Sequence, residues 1–124
     1  MDYELLLRLF LSLLFGAVIG FEREYHSKAA GFRTITIISM GSTLFTICSF
    51  KLGGVGNPDR IASNIITGMG FIGAGVIFKE GASISGLTTA ATIWIAAAMG
   101  MALGIGEYFI AATTLGLSYF VKVQ

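Results

Sequence analysis

What is scarce in this sequence narrows its class before any motif is read. Its 124 residues hold one proline, one histidine, one tryptophan and one cysteine, with eight basic and seven acidic side chains. Cys48, being alone, forms no internal disulfide and offers no metal-ligand pair, and is read as a small buried apolar residue. With one histidine, no nucleophile motif and no phosphate-cradling loop followed by lysine, there is no catalytic constellation, and no enzyme is expected. A net charge of +1 gives no reason to expect a nucleic-acid partner. A cleavable leader is not expected either. Acids Asp2 and Glu4 stand where a basic region would be, the first apolar run reaches Phe21, and no small-residue cleavage site precedes the next charges.

Against these absences stand 55% hydrophobic residues and a mean hydropathy of +0.83. So little polar surface cannot cover a soluble globule of this size, and the expected fold is an all-α transmembrane helix bundle. About 20 apolar residues cross the hydrocarbon of a bilayer. Residues 5–21, 34–50, 61–78 and 87–103 come close to that length, and 108–121 form a shorter fifth candidate. Five spans are expected, with four spans and an interfacial tail as the alternative. No linker divides the chain, so residues 1–124 are expected to form one transmembrane domain without a soluble C-terminal domain. Five spans put Arg23, Lys28, Arg33, Lys79 and Lys122 on one side, against Lys51, Arg60 and the span residue Arg8. That asymmetry places the N-terminus outside and the C-terminus in the cytoplasm.

Seventeen glycines favour close helix approach. Ser12, Gly16 and Gly20 recur every four residues, as do Ala96, Gly100 and Gly104, and both sets read as helix-contact stripes. "GMGFIGAG" at 68–75 is denser. Gly68, Gly70, Gly73 and Gly75 either admit a neighbouring helix very closely or let the third span break and expose carbonyls, as at transporter midplane sites.

Polar residues near the spans supply the candidate contacts. Asn57-Pro58 has the form of a helix start that would place Asp59 at the positive helix end. Asn64 shares a helical face with Gly68, Phe71 and Gly75 and is suited to an interhelical hydrogen bond. Thr88, Thr89 and Thr92 are expected to bond back to their own helix, with Thr88 and Thr92 as candidate ligand contacts, and Trp94 to pack within the bundle. The charges of "GFEREYHSKAAGFRT" pose a sharper question. Glu22 ends the first span and Arg33 begins the second, each at the helix end whose dipole opposes its charge. An ion pair between them, buried at the cytoplasmic mouth with Arg23 and Glu24 nearby, would remove both conflicts, with Ala29-Ala30-Gly31 as the turn that brings them together. Lys28, His26 and Glu24 are otherwise read as solvated loop.

Four blocks, "GAVIGFERE", "AAGFRT", "NPDRIASNIITGMGFIGAGVI" and "GLTTAATIW", resemble in order and spacing the hydrophobic domain of the MgtC/SapB membrane protein family. The resemblance covers nearly the whole chain. It implies a multi-pass protein of the bacterial inner membrane, connected with adaptation to magnesium limitation and, in pathogens, with virulence inside macrophages. It also implies either a regulatory role, including inhibition of the ATP synthase, or magnesium transport. Many family members have Asp-Pro where this chain has Asn57-Pro58, and Gln in place of Asn64. Many also continue into a soluble cytoplasmic domain. Two functions are therefore carried forward: a regulator acting by helix contacts with itself or another membrane complex, and a small transporter or channel for Mg²⁺ or another ion, built as a dimer around the third span. No acid lies in the middle of any expected span, which weighs against a cation path.

Overall fold

A computed structural model of the chain describes residues 3–53, 60–81 and 83–123. Each expected segment is a helix: α1 Tyr3–Tyr25, α2 Phe32–Gly53, α3 Arg60–Glu80, α4 Ile84–Gly104 and α5 Tyr108–Val123. In hydrocarbon a lone strand leaves its backbone unpaired, whereas a helix satisfies its own groups, so long apolar segments fold this way. The first four helices are long and apolar enough to cross a membrane. With 16 residues, α5 reaches about 24 Å, short of the roughly 30 Å of a hydrocarbon core.

The helices outrun the apolar segments, and the largest extension matters most. Helix α1 continues to Tyr25, so Glu22, Arg23 and Glu24 stand on its last turn. It ends in paired closing bonds, Lys28 N to Arg23 O at 2.9 Å and Ser27 N to Glu24 O at 3.0 Å, with Ser27 in the left-handed region at φ 56°. This is the closure that glycine usually provides. Gly106 provides it after α4, with φ +85° and Glu107 N bonded to Ala102 O at 2.8 Å. Helix α4 begins at Ser83, whose hydroxyl accepts from Gly86 N at 3.1 Å.

Helix α2 lies against both α1 and α4, and both expected small-residue stripes face it. A Cβ added at Gly16 would fall 2.8 Å from Ser39 Cβ, and one at Gly20 2.8 Å from Phe32 Cα. Added at Gly104, it would fall 2.7 Å from Thr46 Cβ. Helices this close can exchange hydrogen bonds through short side chains. Ser39 Oγ donates to Ser12 O at 2.9 Å, Ser42 Oγ to Ala97 O at 2.6 Å and Thr43 Oγ1 to Gly100 O at 2.7 Å. Ser49 Oγ accepts from the first N–H groups of α3, Ile61 at 3.0 Å and Ala62 at 3.1 Å. Ile19, Ile35, Ile93, Met99 and Leu103 fill the space between. Trp94 does not join them. It is 58% exposed on the outer side of α4, because Ile93 and Ala96 take the inward positions beside it.

Replacing Gly100, which abuts Ser39 O and Ser42 Cβ, with leucine should lower unfolding stability in detergent by about 1–3 kcal/mol, the usual cost of overpacking. Gly116→Leu, where an added Cβ would meet nothing within 4 Å among the described residues, should not lower it; circular dichroism melts compare the two.

Candidate functional site

Among the described residues one charged side chain is almost completely enclosed: Arg23, 1% exposed, on the last turn of α1. Its planar fork reaches two other segments of chain. Nε donates to Ala29 O at 2.9 Å and to Ala30 O at 3.1 Å, in the α1–α2 connection. Nη1 donates to Thr92 Oγ1 at 3.3 Å and Nη2 to Thr89 Oγ1, both on α4. Thr92 Oγ1 donates in turn to Thr88 O at 2.8 Å. Neutral oxygens therefore solvate the guanidinium, and it has no ion pair among the described residues. Only arginine offers N–H groups in a rigid plane wide enough for such a set of acceptors.

The compact connector at Ala29-Ala30-Gly31 exists, but it serves Arg23. Ala30 is held at φ 54°, an unfavourable conformation for a residue with a Cβ, and this turns its carbonyl with that of Ala29 onto Nε. Glu24, read as solvated loop, has a structural role instead. Its Oε1 accepts from Phe32 N at 2.9 Å and so caps the start of α2. A Cβ at Gly31 would fall 2.7 Å from that oxygen, so glycine keeps the path open.

The expected Glu22–Arg33 ion pair does not form. Glu22 Oε2 lies 3.5 Å from His26 Nε2, one turn along the same helix face. Arg33 is exposed. The inward position at this mouth belongs to Arg23, and Phe32, packed by its backbone on Gly20, leaves Arg33 turned outward. Of the three residues expected to cluster, Arg23 is enclosed, Glu22 is largely covered with its side chain 11% exposed, and Arg33 is exposed. Sequence reasoning missed Thr89 as its partner, although Thr89 and Thr92, three residues apart, share one face of α4; nothing local marks the two carbonyls.

The other candidates are dispersed. Helix α3 is unbroken from Arg60 to Glu80, so no carbonyls are exposed at 68–75. A Cβ added at Gly73 would fall 3.5 Å from Ala90 Cβ, while one at Gly68, Gly70 or Gly75 would meet nothing within 4 Å among the described residues, so three of the four glycines do not serve close packing among them. Asn64 bonds back to Arg60 O at 3.4 Å instead of across to another helix, and it is exposed. It borders a groove of about 390 Å³ between α2 and α3, with Gly41, Phe45, Gly68 and Ile72. Thr88 is exposed, and Asp59, with Asn57-Pro58, lies outside the described residues. Among the described residues no three His, Cys, Asp or Glu side chains gather as a metal site would need.

Comparison with known proteins joins these features to a family. The MgtC family profile matches residues 9–123. The chain is 47% identical over 116 residues to "Putative magnesium transporter YhiD" of Escherichia coli K12, covering 87% of this chain and 54% of that protein. It is 45% identical over 95 residues to Protein MgtC of Brucella abortus (77% and 40%) and 40% identical over 106 residues to Protein MgtC of Salmonella typhimurium (86% and 46%). It thus spans about half the length of these curated relatives. No solved structure matches it.

Removing the guanidinium strands buried acceptors and opens a void, so Arg23→Ala should lower unfolding stability by about 2–4 kcal/mol. Arg23→Lys should recover part of the loss, whereas Arg33→Glu should change stability by less than about 0.5 kcal/mol. Unfolding titrations in mixed micelles check all three.

Proposed function

The chain belongs to the MgtC family, and from that premise we propose that it is a regulator of the bacterial inner membrane, working in adaptation to magnesium limitation through helix contacts. Its partner in this reading is a second copy of the chain or another membrane complex, the ATP synthase among them, and the Arg23 mouth faces the cytoplasm. The observation that carries the reading is the outward face of α3. A glycine inside a helix costs about 1 kcal/mol against alanine, and in membranes that cost is offset where another backbone approaches. Among the described residues nothing lies within 4 Å of a Cβ added at Gly68, Gly70 or Gly75, and the carboxamide of Asn64 lies exposed on that helix.

The transport reading rests on the name carried by the E. coli relative. It has less support from the interior. Among the described residues the one almost fully enclosed charge is the cation Arg23, and Glu22, its side chain 11% exposed, sits on the last turn of α1 and not in mid-span. A fixed cation at the mouth of a bundle opposes passage of Mg²⁺, whereas cation paths usually show intramembrane acids.

The two readings separate in one pair of measurements. Mg²⁺ flux into liposomes carrying the purified chain should stay at background. Gly68→Leu with Gly75→Leu, at positions open enough to keep the fold, should reduce growth in low magnesium to that of a deletion strain. Protein-dependent, saturable Mg²⁺ flux would overturn the proposal.

A further inference from the structure

The opposite end of the bundle, where α1 begins, has a polar site of its own that the α3 contact face does not use. Arg8 lies two turns into α1. Its Nη1 donates to Gly104 O, at the end of α4, at 2.7 Å, and its Nη2 to Glu4 Oε2 at 2.9 Å. That carboxylate oxygen also accepts from Tyr108 Oη at 3.2 Å. The third nitrogen is not provided for: Arg8 Nε is buried and has no acceptor. The α4–α5 turn closes over the group, since a Cβ at Gly106 would fall 2.9 Å from Nη2.

Beside Arg8 is a cavity of about 280 Å³, reached also by Lys51 from the last turn of α2 and walled by Leu5, Ile47, Phe50 and Ile105. Lys51 is exposed and forms no hydrogen bond or ion pair among the described residues. The charged residues that line the cavity are the two cations Arg8 and Lys51; Glu4, outside the lining, is bonded to Arg8 and Tyr108. The carbonyl of Gly104, which would repel an anion, is occupied by Arg8. Among the described residues the Lys51 ammonium and the buried Arg8 Nε donor are left without a partner.

We propose that this cavity binds a phosphate group. Arginine presents spaced donors that match phosphate oxygens, and lysine adds a mobile point charge. The volume corresponds to about nine waters at roughly 30 Å³ each, room for a phosphate with the first carbons attached to it and too little for a whole lipid. The site lies at helix ends, the level at which phospholipid headgroups sit, and its apolar walls suit the glycerol of such a headgroup. The phosphate is either that of an anionic phospholipid or free inorganic phosphate.

Native mass spectrometry and thermal-shift titrations of the delipidated chain in detergent distinguish the sources. Three probes are used: phosphatidylglycerol, phosphatidylcholine and inorganic phosphate. Saturable stabilisation by phosphatidylglycerol, with phosphatidylcholine far weaker and inorganic phosphate silent, assigns a lipid headgroup; saturable stabilisation by inorganic phosphate assigns the free anion. In either case Lys51→Gln should weaken binding about tenfold, while Lys28→Gln, at the other mouth, should leave it unchanged. Arg8→Gln removes structural bonds as well, so the decision rests on Lys51. Binding by Lys51→Gln equal to wild type, equal binding of the two lipids, or no saturable binding of any probe would overturn the proposal.

Discussion

The bundle depends on how closely α2 lies to its two neighbours. Glycines 16 and 20 on one side and 100 and 104 on the other remove the side chains that would hold the helices apart. The distance gained lets serine and threonine hydroxyls on α2 reach backbone carbonyls of α1 and α4. In a bilayer, lipid tails are as apolar as leucine, so burying hydrocarbon gives little drive for helices to meet. Close van der Waals contact and these short bonds take its place. The same arrangement seats α3, whose first amides are satisfied by Ser49 of α2.

Arg23 is compatible with that frame because it asks for no charged partner. A buried carboxylate would bring a second desolvation cost, and ion pairs in low dielectric often fail to recover it. Two hydroxyls and two carbonyls spread the positive charge over groups that are already present as backbone or as threonine on α4. The result is a three-way tie among α1, the connector and α4 that encloses the guanidinium. At the other end Arg8 makes the complementary choice, keeping a carboxylate partner where exposure makes it inexpensive.

Much of the fold was legible because membrane helices announce themselves by length and apolarity, and the stripes at 12, 16, 20 and at 96, 100, 104 predicted which faces meet. The charged stretch was harder. Dipole conflict at Glu22 and Arg33 was a sound local argument, but it ignored the rotation of each helix, which sends Arg23 inward and Arg33 outward. Rotation is set by packing against α2 and α4, and no short window contains it. Trp94 failed for the same reason: a central position along a span says nothing about which side of the helix it occupies. The glycines of α3 stand out in sequence by their density, yet a Cβ added at three of them would meet nothing within 4 Å among the described residues.

The distance along the sequence between Arg23 and its hydroxyl partners has a consequence for biogenesis. Thr89 and Thr92 follow Arg23 by 66 and 69 residues, so α1 enters the membrane long before α4 has been synthesised. Until then the guanidinium has the nearby Ala29 and Ala30 carbonyls and water, and it must wait at the aqueous boundary. The arrival of α4 lets it withdraw from that boundary. Completion of the bundle is thereby tied to the fourth helix, and a chain interrupted before it would expose a cationic end at the membrane surface.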